Sequence, residues 1–122
     1  MSNELKHLSW NDIKSEQMNP LLLRQFVSAA NVTIARFELK KGAFVRKHQH
    51  ENEQVSIVLQ GALKLRFEGK GEVTVRAGEL VCIPPNLPHE AEAPEDVVIL
   101  DVFSPPRADW AQQDDSYLRA GK

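Results

Sequence analysis

"KHQHENEQVSIVLQG", residues 47–61, decides the fold. It opens on His48 and His50, runs through Glu51, Glu53 and Gln54, and becomes a β-strand closed by Gly61. In an extended chain, residues two apart share a face. His48 and His50 therefore point together, and Gln54 keeps their parity. Glu51 and Glu53 have the opposite parity and point away, unless "ENE" makes a bend. Imidazole is the commonest protein ligand for transition metals. Two imidazoles on one strand hold a metal poorly, so a third ligand must come from elsewhere. His89, at the start of another strand after "PPNLP", is the candidate. An H-x-H alone reads more readily as a solvated pair. His89 and the spacing around it turn the reading towards a metal site.

Outward from that stretch, the pattern after residue 30 is mostly β. "NVTIARFEL" is β-branched and alternating, and "KKG" turns it. "ALKLRFEG" alternates cleanly, with Leu63, Leu65 and Phe67 on one face and Lys64, Arg66 and Glu68 on the other. That is a half-buried antiparallel strand. "EVTVRAGE", "LVCIPP", "HEAEA" and "VVILDVF" follow, with turn signals between them. Many short strands so punctuated predict an all-β sandwich or barrel. Residues 1–122 read as one domain, with its core at about 30–104. The segment "WNDIKSEQMNPLLLRQFVSAA" reads as a short turn or helix, capped by Asn11 or Asp12, followed by an early strand. The tail "ADWAQQDDSYLRAGK" reads as a short helix or frayed end. Trp10 and Trp110 read as packing anchors for the termini, and His7 as solvated.

Composition narrows the function classes. The formal charge of -2 gives no basic stripe for nucleic acid. The N-terminus has no apolar signal-peptide core, and no apolar run approaches the roughly 18 residues of a membrane span. The single cysteine, Cys82, excludes an intramolecular disulfide, and its apolar run places it in the core. The expectation is a cytoplasmic protein.

"VVILDVFSPPRADW", residues 97–110, is the second informative stretch. Val97, Ile99, Asp101 and Phe103 share a face. An acid in such a row is expensive to bury unless it is paired or meets a wet cavity. Asp101 is either a core-edge acid tied to Arg107 or to backbone, or a pocket acid/base. Arg107, on a stiff turn after two prolines, is either a carboxylate clamp or one half of a salt bridge. Arg36, mid-strand with the parity of Val32 and Ile34, either faces the pocket and meets an anion or points outward.

The spacings Gly42-x5-His48-x-His50-x3-Gln54-x6-Gly61 and Gly78-x5-Pro84-x-Asn86-x2-His89 resemble the two cupin motifs. Gln54 stands where Glu is usual, Asn86 where Gly is usual, and Ala93 where Asn is common. The resemblance implies a double-stranded β-helix (jelly-roll) barrel. His48, His50, Gln54 and His89 would hold one divalent metal (Ni, Zn, Mn, Fe or Co) at its mouth. Three imidazoles and an amide leave the full charge on the ion, which favours an anionic ligand.

"HQHENEQVSIVLQG", "PPNLPHEA" and "LDVFSPPR" together resemble the KdgF-type cupins of pectin and alginate breakdown, over about residues 8–110. That resemblance implies conversion of 4,5-unsaturated monouronates to linear keto-uronates, a redox-neutral ring opening with no organic cofactor. Asp101 would move the proton, Phe103 would pack on the sugar ring and Arg107 would orient the carboxylate. The partner would be a small anionic sugar acid, with no nucleic acid or membrane, and the state a homodimer. Two other functions fit the same residues. One is a metal-dependent dioxygenase or lyase on another small anion. The other is a non-catalytic cupin that binds a small carboxylate.

Overall fold

A computed structural model describes residues 4–119 of the chain. After a 3-10 turn at Trp10–Asp12, ten strands follow in order. They are β1 (Glu16–Asn19), β2 (Leu22–Ser28), β3 (Thr33–Leu39), β4 (Phe44–His48), β5 (Glu53–Gln60), β6 (Ala62–Phe67), β7 (Gly71–Arg76), β8 (Leu80–Ile83), β9 (His89–Glu92) and β10 (Val97–Ser104). Two single-turn helices end the described chain: α1 (Ala108–Ala111) and α2 (Ser116–Arg119). The strands form a six-stranded sheet, β1-β2-β3-β10-β5-β8, and a four-stranded sheet, β4-β9-β6-β7. Every pairing is antiparallel. The chain is therefore all-β, as its alternating runs predict.

Alternation fills the space between the sheets. Thr33, Ala35, Phe37 and Leu39 of β3 are buried, as are Val97, Ile99, Asp101 and Phe103 of β10. Leu63 and Leu65 of β6 and Val75 of β7 close the core from the small sheet. Burial of such side chains is the main stabilising term. Gly61 turns β5 into β6 at φ +78°, and a Cβ there would lie 2.1 Å from the Asp96 carbonyl oxygen. Only glycine meets both conditions.

Four expectations are corrected. The N-terminal segment gives two strands, a hairpin, where one was expected. Its turn is capped by Ser9: Ser9 Oγ accepts from the Asn11 amide, and the Asp12 carboxylate accepts from the Ser9 amide. Asp12 is thus the reciprocal partner of a capping box rather than the cap. "FVRKH" is a separate strand, β4. Cys82 is exposed, because β8 is an edge strand whose inward positions are Val81 and Ile83. A continuous apolar run does not declare its parity.

Candidate metal centre

The two sheets bring the sequence-predicted ligands together from three places. His48 ends β4 and pairs in register with His89, the first residue of β9. Their ring centroids are 4.4 Å apart. His50 lies in the loop after β4, where its carbonyl accepts the Asn86 amide at 2.8 Å. Asn86 adopts φ 64°, the left-handed conformation that Asn tolerates best after Gly. Gln54, Ser56, Asp101 and Phe103 come from the large sheet, where Phe103 lies opposite Gln54 and Asp101 opposite Ser56.

Each imidazole is oriented by main chain. Nδ1 of His48, His50 and His89 donates to the carbonyls of Arg46, Asn52 and Leu87, at 2.8, 3.0 and 2.8 Å. A carbonyl only accepts, so the proton sits on Nδ1 and each Nε2 presents a lone pair. Burial, then the His89 ring, pushes the His48 pKa down to about 3. Burial, then the Arg107 charge, pushes His50 down to about 4, and burial lowers His89 as well. All three are neutral at pH 7, the form that ligates. One donor atom from each lies within 4.8 Å of the others.

This donor set fits a divalent cation. His89 Nε2 is buried without a hydrogen-bond partner. His50 Nε2 faces Gln54 Oε1 at 3.0 Å, lone pair against lone pair when Nδ1 holds the proton. The Gln54 amide nitrogen donates to Ser56 Oγ at 2.9 Å, and Gln54 also bonds the Asp101 carboxylate. Those partners turn its oxygen towards the imidazoles. A cation between these atoms removes both frustrations.

Asp101 lies behind Gln54. Burial raises its pKa to about 6, opposed by Ser56, Gln54 and the Arg107 charge, and its Oδ1 has no hydrogen-bond partner. Phe103 is buried edge-on to His50, centroids 5.7 Å apart. Arg107 is one half of a salt bridge with Asp109, buried rather than on the surface, and not an open clamp. Its Nε and Nη2 donate to the two Asp109 oxygens at 2.9 and 2.6 Å, and Nη2 donates to Tyr117 Oη at 2.6 Å. Its guanidinium lies 4.6 Å from the Phe103 ring centroid and 4.4 Å from that of Trp110. Between the sheets is a cavity of about 50 Å³, lined by His48, Gln54, His89, Asp101, Arg107 and Tyr117, among others.

Comparison with known proteins agrees with this geometry. The cupin domain family matches residues 35–103, more than half of the chain. The chain belongs to the cupin family. Among solved structures, this cupin is similar to KdgF from Halomonas sp., at 27% identity and TM-score 0.74, over 82% of this chain and 94% of that one. It is similar to an RmlC-like cupin from Shewanella frigidimarina, at 28% identity and TM-score 0.78, over 87% and 96%. Oxalate decarboxylase of Bacillus subtilis shares the fold, at 21% identity and TM-score 0.73, over 85% of this chain and 31% of that one. No curated protein matches the chain.

The cupin scaffold sorts the other sequence-predicted residues. Glu51 and Glu53 are exposed, although the chain bends at Glu51–Asn52 and only Glu53 lies on a strand. Arg36 is corrected: it lies on the outer face of β3, paired with Glu38 at 2.6 Å, because Ala35 and Phe37 hold the inward positions. Three residues near the site gave no usable signal in the sequence. Ser56 orients Gln54. Asn52, buried in the "ENE" loop, donates to the Pro105 and Pro106 carbonyls and ties the His50 loop to the turn before Arg107. Tyr117 arrives from the polar tail and stacks on His48, centroids 4.3 Å apart and 28° between planes.

Proposed function

We propose that this cupin binds one divalent metal through His48, His50, Gln54 and His89, and converts 4,5-unsaturated monouronates to linear keto-uronates. The observation that carries the reading is the convergence of three neutral Nε2 atoms and an amide oxygen beside a buried acid whose pKa burial raises. The likeness to a KdgF supports the substrate class. The bound metal would supply Lewis acidity to a substrate oxygen. The chain's own residues do the rest. The reaction is an isomerisation: the hemiacetal hydroxyl loses a proton, the bond from that carbon to the ring oxygen opens to leave an aldehyde and an enolate, and the enolate takes a proton at carbon to become the ketone. Asp101 is the proton carrier, since a carboxyl with a pKa near neutrality both accepts and donates. Phe103 forms an apolar wall for the ring. Arg107 supplies the positive charge that faces the substrate carboxylate.

The reading includes a cytoplasmic homodimer. Ile34 of β3, Val55 and Ile57 of β5, and Leu100 and Val102 of β10 make an apolar outer face on the large sheet. A second copy laid on that face would remove it from water. Light scattering should give twice the chain mass, and a monomer at micromolar concentration would contradict the dimer.

The small cavity favours two other readings: a metal-dependent dioxygenase or lyase acting on a smaller anion, and a non-catalytic carboxylate binder. The test is to incubate metal-loaded protein with unsaturated monouronates made by pectin and alginate lyases. Loss of the conjugated absorbance should accelerate with no oxygen consumed. Asp101→Asn should lower turnover by at least about 100-fold while retaining the metal. Decay of every monouronate at the spontaneous rate would reject the uronate reading, and oxygen uptake would select the dioxygenase.

A further inference from the structure

We propose that Asp115–Arg119 is a lid over the metal pocket, with Tyr117 and Leu118 setting which ligands the pocket admits. The proposal rests on the uronate reading for the ligand it admits, but not for the lid itself. Three independent contacts seat the segment. Tyr117 stacks on His48, and its hydroxyl accepts from Arg107 Nη2 at 2.6 Å and Trp110 Nε1 at 3.0 Å. Leu118 is buried and lines the cavity, and its carbonyl accepts from Asn19 Nδ2 at 2.9 Å. Asp115, also buried, accepts from Arg24 Nη2 at 3.0 Å and from Arg119 Nε at 3.0 Å.

With the segment seated, the cavity of about 50 Å³ holds a few waters or a small anion. Pockets for ligands of drug-like size run to roughly 300–1,000 Å³, so a six-carbon sugar acid needs more room. The room is under Tyr117 and Leu118, which belong to the single-turn helix α2, connected to the barrel through α1 and residues 112–115. Moving that turn uncovers one face of His48 and releases one donor of Arg107. One N–H of Nη2, whose other hydrogen stays on Asp109, then has a place for a ligand carboxylate. The lid and the ligand compete for the same arginine and the same space, so a larger anion enters only as Tyr117 leaves. One part of the latch is peripheral: Arg119 keeps about half of its side-chain surface exposed, while Asp115 and Arg24 are buried.

The test compares wild type, Tyr117→Ala and Arg119→Ala as full-length, metal-loaded proteins. The first variant removes the cover, and the second weakens the latch without touching the cavity. Stripping of the metal by pyridine-2,6-dicarboxylate should be at least about tenfold faster in Tyr117→Ala and intermediate in Arg119→Ala. Galacturonate, a saturated uronate that cannot react, should bind Tyr117→Ala about tenfold more tightly than wild type by calorimetry. Formate, which fits the closed cavity, should bind both alike. Equal stripping rates in all three proteins would overturn the lid, whatever galacturonate does. Faster stripping in the variants, with no galacturonate binding to any of them, would establish the lid and reject the uronate reading.

Discussion

At the residue scale, the clustering of His48, His50 and His89 was legible because motif spacing is read directly from the chain. The chain bends at Glu51–Asn52, so period 2 holds only within β5, where Gln54 points inward and Glu53 outward; His50 reaches the site from the loop. The fourth donor, His89, needed the motif spacing, since its neighbour in space is His48 across the sheet and not in sequence. Cys82 and Arg36 were misplaced by a limit of the same logic. Parity says which residues share a face but not which face is inside. An apolar run such as "LVCIPP" leaves that choice open, and edge-strand position decides it. The structure therefore reverses the stability expected of Cys82→Ala. A core cysteine would lose roughly 1–2 kcal/mol, but an exposed one should change unfolding free energy by less than about 0.5 kcal/mol in urea titration. A loss above about 1 kcal/mol would mean that the outer face of β8 is buried by a partner subunit.

At the element scale, the strands after residue 30 were readable from alternation, while the tail was not. "ADWAQQDDSYLRAGK" is polar in composition, and its few large residues have no period. Yet Trp110, Tyr117 and Leu118 all pack onto the barrel, drawn there by Arg24 and Arg107 as much as by apolar surface. The signal lay in partners 91 positions apart, Arg24 and Asp115. That pair makes tail docking depend on pH. Burial alone would raise the Asp115 carboxyl, but hydrogen bonds from Arg119 and Arg24, and their charge, hold it below the ordinary value of 3.8. Glu16 of β1 shares both arginines. A carboxyl with a depressed folded pKa adds stability above its unfolded pKa and loses it as pH falls through the folded value. Docking of α2 should therefore be constant from about pH 5 to 8 and be lost only below about 3.8. The amide signals of residues 115–119 in an NMR titration would show this. Release near pH 6 would place the controlling group elsewhere.

At the scale of the whole molecule, the fold and the site are one arrangement. β10 lies between β3 and β5, so the inward row of "VVILDVF" delivers Asp101 and Phe103 to the place where Gln54 and Ser56 already stand. The small sheet delivers His48 and His89 from the other side. The barrel was legible in the sequence because each strand carries its own alternation. The closure of its mouth was not, because the tail joins through single long-range contacts that leave no period behind. The central claim is that the three imidazoles and the amide hold a metal ion, and elemental analysis of the purified protein tests it most directly. About one divalent transition-metal ion per chain is predicted in wild type and in Glu53→Gln, less in Gln54→Ala, and almost none in His89→Ala. Full metal in His89→Ala would contradict the account, and so would wild-type protein that binds none when supplied with Ni, Zn, Mn, Fe or Co.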